Sequence, residues 1–375
     1  MLRLDEPRQA AVVRADPDAA LRGLPEPVLI DEWHLVPEVL GAVKRAVDAD
    51  ARPGRFLLTG SVRDDVEAEH WPGTGRVLRL PMRGLTAAEV QRRVPRVTLL
   101  DRLQSGTDDA FGLLPSSSGL PDLRDYAELA LTGGFPEPVL RLPPGEREPW
   151  LDSYIDQLLT RDVAELAGER DPERMRRYLE ACALNTGGVA DRSKLYQAAG
   201  ISGKTGQAYD RLLRNLLVIQ DLPAWWSNRL KRLTRTPKLH FLDPSLALAA
   251  LRIDITGLMR DGDVLGRALE TFVLAQIQAE APRCASRPRL FHMRQEKGRH
   301  EVDVVVEYGG GQIFALEVKA TSAPRDDDAR HLAWMRDELG DRFLGGAVLH
   351  TGPRAFPLGP GITAAPIATL WSDAS

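Results

Sequence analysis

Two short, uninterrupted apolar runs near the start of the chain restrict its fold more than any other feature. Residues 28–34 read VLIDEWH, and residues 55–61 read RFLLTGS. Neither alternates apolar with polar positions, so both suit strands covered on two faces, as in a parallel sheet. Between them, Pro37 suits a first helical turn, and Val36, Val39, Leu40, Val43 and Val47 share one stripe at helical spacing. Strand, helix, strand is the repeating unit of an α/β sheet. MLRLD (1–5) and RVLRLPM (76–82) read as two further strands.

The first run ends in Asp31–Glu32, an apolar strand leading to paired acids. This is the Walker B arrangement, in which the Asp holds a nucleotide's Mg²⁺ and the Glu polarises the attacking water. Thr59 and Ser61, at the end of the second run, stand where a sensor group would sit. The glycine-rich loop whose N–H groups and lysine hold the β- and γ-phosphates does not precede them. The expectation is therefore either a start downstream of the true one or an ATPase module with an incomplete site, binding ATP only if that loop is supplied. The plainer alternative is a strand ending in solvated acids. GISGKT (200–205) is no substitute, because Ala198 stands where the loop needs its first glycine. SKLYQAAG, just before it, reads as a helix with a glycine stop and not as a strand.

At 375 residues the chain has room for two or three domains. Its net charge of −4 argues against wholesale wrapping of nucleic acid, so any such contact must use a local basic patch. Cys182 and Cys284 fit no metal or disulfide spacing and suit a reducing cytoplasm. No apolar run reaches membrane-spanning length, so no membrane partner is expected.

Residues 97–122, with SGTDD and PSSSGLP, read as an interdomain linker that closes a first module at 1–96. A helical region, 123–255, follows. It includes WLDSYIDQLLTRDVAEL, with Leu151, Ile155, Leu158 and Leu159 on one face. RMRRYLEACALNTGG, DRSKLYQAAGIS and GKTGQAYDRLLRNLLVIQ then suggest three helices, with a tight Gly-Ile-Ser turn before the third. That is helix-turn-helix organisation. Ser202 suits the third helix's N-cap, Leu212, Leu213, Leu216 and Leu217 would point inward, and Lys204, Arg211 and Arg214 partly outward. WWSNRLKRLTRTPKLHF reads as a wing. Between Leu222 and Leu242 it carries Arg229, Lys231, Arg232, Arg235 and Lys238 with no acid, a stripe suited to phosphates. Trp225 and Trp226 suit base stacking or simple packing, and the module as a whole suits DNA or a protein partner.

In the last region, 256–375, HEVDVVVEY (300–308) and QIFALEVKA (312–320) read as a hairpin turning at Gly309–Gly311. Asp303 lies on its first strand; Glu317 and Lys319, two apart, share a face of the second. LGRALETFVLAQI (265–277) is an amphipathic helix with one acid, Glu270. Phosphodiester hydrolysis needs a hard cation held by carboxylates and a group that orients water. Asp303 and Glu317 are the candidate Mg²⁺ ligands, Glu270 their support, and Lys319 the water-orienting cation. Gln295 and Glu296 could line the same site. A solvated hairpin face is the alternative, set against charges isolated among valines.

With these motifs in hand, the chain resembles AAA-type P-loop ATPases of bacteria and archaea that carry a restriction-endonuclease-like C-terminal domain. The likeness rests on the acidic strand, the LTGS run, Arg83-Gly84-Leu85-Thr86, TGGFPEPV (132–139), and the Glu…Asp…Glu-x-Lys pattern of PD-(D/E)XK nucleases. It implies Asp31 as a Mg²⁺ ligand, Glu32 as water-activating base, Thr59 or Ser61 as sensor, and a homo-oligomer by analogy. Trp33 and His34 replace the family's Ile-Gln pair, and Val302 replaces the proline of some nucleases. The implied architecture is α/β: a truncated parallel-sheet ATPase module, a winged-helix middle and a nuclease-like α/β end. Three functions remain in play. One is a DNA-acting protein with a Mg²⁺-dependent nuclease-like domain, another a non-catalytic DNA-binding or protein-interaction scaffold, and the third an ATPase whose true N-terminus lies upstream.

Overall fold

The computed structural model describes residues 1–60, 75–107, 111, 120–162, 171–295 and 299–372, with the side chains of residues 161, 162 and 229 set aside. The chain divides into two compact units, 1–80 with 213–217, and 81–212 with 218–375.

The first unit is a parallel α/β sheet. β1 (Leu2–Arg3), α1 (Pro7–Ala15), α2 (Pro17–Leu21), β2 (Val28–Asp31), α3 (Val39–Ala49) and β3 (Phe56–Leu58) follow in order, and the sheet runs β1-β2-β3. β1 pairs with β2 through Leu2↔Ile30, and β2 with β3 through Ile30↔Leu58, both parallel. Val28, Ile30, Val36, Val39 and Val43 are all buried, so the apolar runs and the helical stripe form one core. The strand read at 76–82 does not form: these residues hold no ladder, and Leu78, Leu80 and Met82 are exposed. Apolar composition alone does not make a strand; a ladder among the described residues is also needed.

The second unit opens with α4 (Ala87–Val90) and α5 (Leu99–Leu103). The expected linker is corrected here, because Leu99, Leu100 and Leu103 are wholly buried in the main core of the unit. Thr98 caps α5 through the Asp101 N–H, and Glu280 accepts from the Leu99 N–H at 2.6 Å. Residues 112–119 of that stretch lie outside the described residues. Next come α6 (Leu123–Thr132), α7 (Pro136–Leu140), α8 (Pro144–Gln157), α9 (Pro172–Leu184), α10 (Arg192–Ala198) and α11 (Gly203–Asn215). α8 runs on as a wider helical turn over Leu158–Asp162, burying Leu158 and Leu159 as expected. The two glycine motifs meet backbone to backbone: Leu85 N–H donates to Gly134 O at 2.7 Å, and a Cβ at Gly134 would come 2.6 Å from Leu85 O.

After α11 lie β4 (Ile219–Leu222), α12 (Arg229–Arg232) and β5 (Lys238–Phe241), the strands pairing antiparallel through Leu222↔Lys238. α13 (Pro244–Ala250), α14 (Ile255–Arg260) and α15 (Gly262–Glu280) lead to the larger sheet. That sheet contains β6 (Arg289–Arg294), β7 (Glu301–Glu307), β8 (Ile313–Lys319), β9 (Phe343–His350), β10 (Phe356–Gly359) and β11 (Ile362–Pro366) in the order β10-β11-β9-β8-β7-β6. β6, β7 and β8 are antiparallel neighbours, whereas β8, β9 and β11 run parallel. α16 (Arg330–Leu339) connects β8 to β9. α15 packs with one face of this sheet and α16 with the other, so β7 and β8 are covered on both sides and their valines are buried. No helix of the described residues is long and apolar enough to cross a membrane.

Candidate functional sites

In the first unit, β2 and β3 deliver Asp31 and Thr59 to the carboxyl edge of the parallel sheet. The Thr59 hydroxyl donates to Asp31 Oδ1 at 2.6 Å. Glu32 follows in the left-handed region at φ 51°, and its Oε2 lies 3.3 Å from His34 Nδ1. Open α/β sheets bind ligands outside the carboxyl ends of their strands, and these residues stand there. One carboxylate with a neighbouring hydroxyl suits Mg²⁺, which is held largely by phosphates and water. Ser61 lies outside the described residues.

The predicted basic surface is only partly a surface. On α11, Lys204 and Arg211 are exposed with Gln207 between them, and Arg214 is half-buried. Lys231 is exposed on the connection between β4 and β5. Arg232 faces inward instead. Its guanidinium donates twice to the buried Glu307 carboxylate, at 2.8 and 2.7 Å, and stacks over Trp225 and Phe291. Trp225 itself is core, and Arg235 lies 4.5 Å above the Trp226 ring. Ser202 caps α11 as expected, accepting from Thr205 N–H. Leu212 and Leu213 are buried, whereas Leu216 and Leu217 are only half-buried.

Beneath α11 lies a buried polar network that reading by residue type did not find. Asp210 accepts from Tyr178 and Tyr196 hydroxyls at 2.6 Å each and from Arg192 at 2.8 Å. Arg192 also reaches Asp221 at 2.5 Å. One carboxylate thus ties α9, α10 and α11 together, with β4 held through Arg192.

The largest correction concerns Lys238, expected on the basic stripe. It is 1% exposed, and its ammonium lies 2.9 Å from Glu270, 3.0 Å from Asp303 and 3.1 Å from Glu301. β5 holds it there through β4 on one side and a Gly188↔Leu239 bridge on the other. Two of the three predicted acids, Glu270 and Asp303, converge around this ammonium, joined there by Glu301, which the sequence reading did not single out. Glu270 projects from α15, and a Cβ at Gly187 would come 2.9 Å from its Oε2. Asp303 is committed at both oxygens: Oδ1 to Lys238, Oδ2 to the Val318 N–H at 3.0 Å. The β7–β8 ladder ends at Val304↔Leu316, and the Asp303 carboxylate takes up the next N–H. Glu317 Oε1 accepts from Lys319 at 2.8 Å, while its buried Oε2 finds no partner among the described residues.

Burial dominates the electrostatics. It pushes Glu270 up to about 8, with the Asp303 charge adding to the effect. Burial and the same neighbour push Glu317 up to about 8. Burial opposes ionisation of Asp303 too, but the Lys238 charge and the Val318 N–H hold it below the usual carboxylate range. Burial would depress Lys238, yet the surrounding carboxylates hold it well above an ordinary lysine. His240 is kept neutral by burial and by Lys238, and His292 is held down at about 3 for the same reasons.

Among the described residues, no group of three or more His, Cys, Asp or Glu side chains is arranged to hold a metal ion. Asp303 has no free oxygen, and an ammonium stands between the carboxylates, so the arrangement does not fit the expected Mg²⁺. The Gln295 N–H donates to His300 O, and Glu296 lies outside the described residues.

Three family models match the chain. The one described as AAA domain matches residues 1–91. Two described as domains of unknown function, DUF8612 and DUF4143, match residues 123–256 and 265–370. Together the first and last support an AAA-type ATPase-like family. Similar proteins include the uncharacterized protein Rv2008c of Mycobacterium tuberculosis and the uncharacterized protein Mb2031c of Mycobacterium bovis. Each is 29% identical over 363 residues, spanning 96% of this chain and 73% of the relative. No solved structure matches.

Proposed function

We propose that this chain is an AAA-type ATPase-family protein that binds DNA through a winged helix, with its restriction-endonuclease-like C-terminal domain acting as scaffold and not as nuclease. The observation that carries the reading is the face of α11. Lys204, Gln207 and Arg211 form one exposed stripe at helical spacing, while Tyr209, Asp210 and Leu212 are buried behind it. α10 and α11 are joined by a tight turn with Gly200 at φ 66°. A Cβ at Gly206 would come 2.2 Å from the Tyr196 ring, so the helices cross too closely for any larger residue. In helix-turn-helix proteins the second helix of such a pair enters the major groove. Lys204 and Arg211 supply charge for phosphates or guanine edges, Gln207 suits adenine, and Lys231 is the wing's contribution.

Nucleotide chemistry belongs to the first unit. Bound Mg²⁺ would supply charge neutralisation at the phosphates. Asp31 would hold it, Thr59 fixes the Asp31 carboxylate, and Glu32 is the base for water.

Fluorescence anisotropy with a labelled duplex across a salt series tests the DNA reading. Lys204→Ala with Arg211→Ala should weaken binding roughly tenfold and lower the salt slope by about 1–2. Unchanged affinity and slope would remove α11 from the interface.

A further inference from the structure

We propose that the Lys238 ammonium is the resident cation of the Glu270–Glu301–Asp303 cluster, and that it excludes a divalent ion from that cluster in the native chain. The inference concerns the C-terminal domain alone and stands whether or not α11 binds DNA.

Three carboxylates from two elements, α15 and β7, meet one ammonium at 2.9–3.1 Å. Burying carboxylates together is expensive unless a cation offsets them, and metal-dependent sites meet that need with the metal. Here a side chain of this same chain meets it. Lys238 is delivered by a strand whose four residues are all buried and paired with β4, with Leu239 bridged to Gly188 on the other edge. It is therefore no plug on a mobile loop that withdraws to admit an ion. Among the described residues, Arg294 also pairs with Glu301 at 3.4 Å, from the half-exposed side of the cluster, and the other groups facing it add no free cation. His240 and His292 are held neutral, and Lys319 is engaged by Glu317 at 2.8 Å. Beside the cluster, Glu317 Oε2 is buried with no partner among the described residues, so a cation entering once the ammonium is gone would find a further acceptor there. The arrangement has a second consequence. Lys238 belongs to the region 123–256 and the acids to the region 265–370, so the ammonium fixes the register of the two family-matched segments.

The test is Mn²⁺ titration of the full chain, followed by electron paramagnetic resonance, with the Asp303 dependence separating this cluster from Asp31. Wild type should show no Mn²⁺ binding that Asp303→Asn removes. Lys238→Met should gain one Mn²⁺, at least roughly tenfold tighter than wild type, and lose it again with Asp303→Asn. Asp303-dependent binding by wild type would overturn the proposal, as would a folded Lys238→Met that binds no Mn²⁺. If Lys238→Met fails to fold, the wild-type and Asp303→Asn titrations decide alone, by the presence or absence of that binding.

Discussion

Replacing Lys238 with alanine leaves Glu270 and Asp303 buried without their shared counter-ion, a loss of roughly 3–5 kcal/mol. Urea unfolding of variant against wild type measures it, and a change within about 0.5 kcal/mol would contradict the role given to the ammonium. The same cluster sets a pH dependence. Glu270 and Glu317 stand near 8 in the folded chain, above the ordinary 4.5. Each therefore contributes stability that is complete below the unfolded value and is lost as pH rises toward 8, by roughly 1–2 kcal/mol per group. His292, held at about 3, acts oppositely, losing its contribution as pH falls below about 6.5. Melting temperature should fall between pH 6 and 8, and Glu270→Gln should flatten that fall. An identical slope in the variant would refute the assignment. Residue identity alone misled at Lys238 because the local run is basic. The overlooked signal is alternation: Lys238 and His240 share one face of a strand whose other positions are Leu239 and Phe241. Polar pairs so enclosed need internal partners.

Among the elements, β7 and β8 were legible because a valine run, a glycine turn and a second apolar run leave little choice of pairing. α5 was not legible. Its five residues are followed by serine- and glycine-rich sequence, and only tertiary burial of Leu99, Leu100 and Leu103 makes it a core helix. The 76–82 run failed for the converse reason, being apolar enough for a strand but lacking a ladder partner. The connection from β4 to β5 divides by position: Lys231 faces solvent, while Arg232 clamps Glu307. Arg232→Ala should therefore cost roughly 2–4 kcal/mol of stability without changing the salt slope of DNA binding, read by unfolding and anisotropy in parallel. A reduced slope with intact stability would return Arg232 to the interface. Asp210→Asn should loosen all three helices at once, for roughly 2–3 kcal/mol, and weaken DNA binding only through the helix it holds.

Across the whole molecule, chain order was easier to read than the state of each site. The parallel sheet with Asp31 and Thr59 at its carboxyl edge, the helices of the middle region, and the β7–β8 pair turning at Gly309–Gly311 follow the sequence order read for them, whereas β6, β9, β10 and β11 had no counterpart in that reading. Of the acids read from the sequence, Glu270 and Asp303 meet at the Lys238 ammonium, whereas Glu317 pairs with Lys319. What the sequence hid was the cation among them, because Lys238 lies 65 positions from Asp303 and reaches it only in the folded chain. That placement puts a side-chain cation where the expected metal would sit. The most direct measurement is supercoiled plasmid incubated with the full chain in Mg²⁺ or Mn²⁺, resolved before and after protein removal. The account predicts a retarded complex that returns to intact supercoiled DNA. Nicked or linear product that disappears with Asp303→Asn would contradict it.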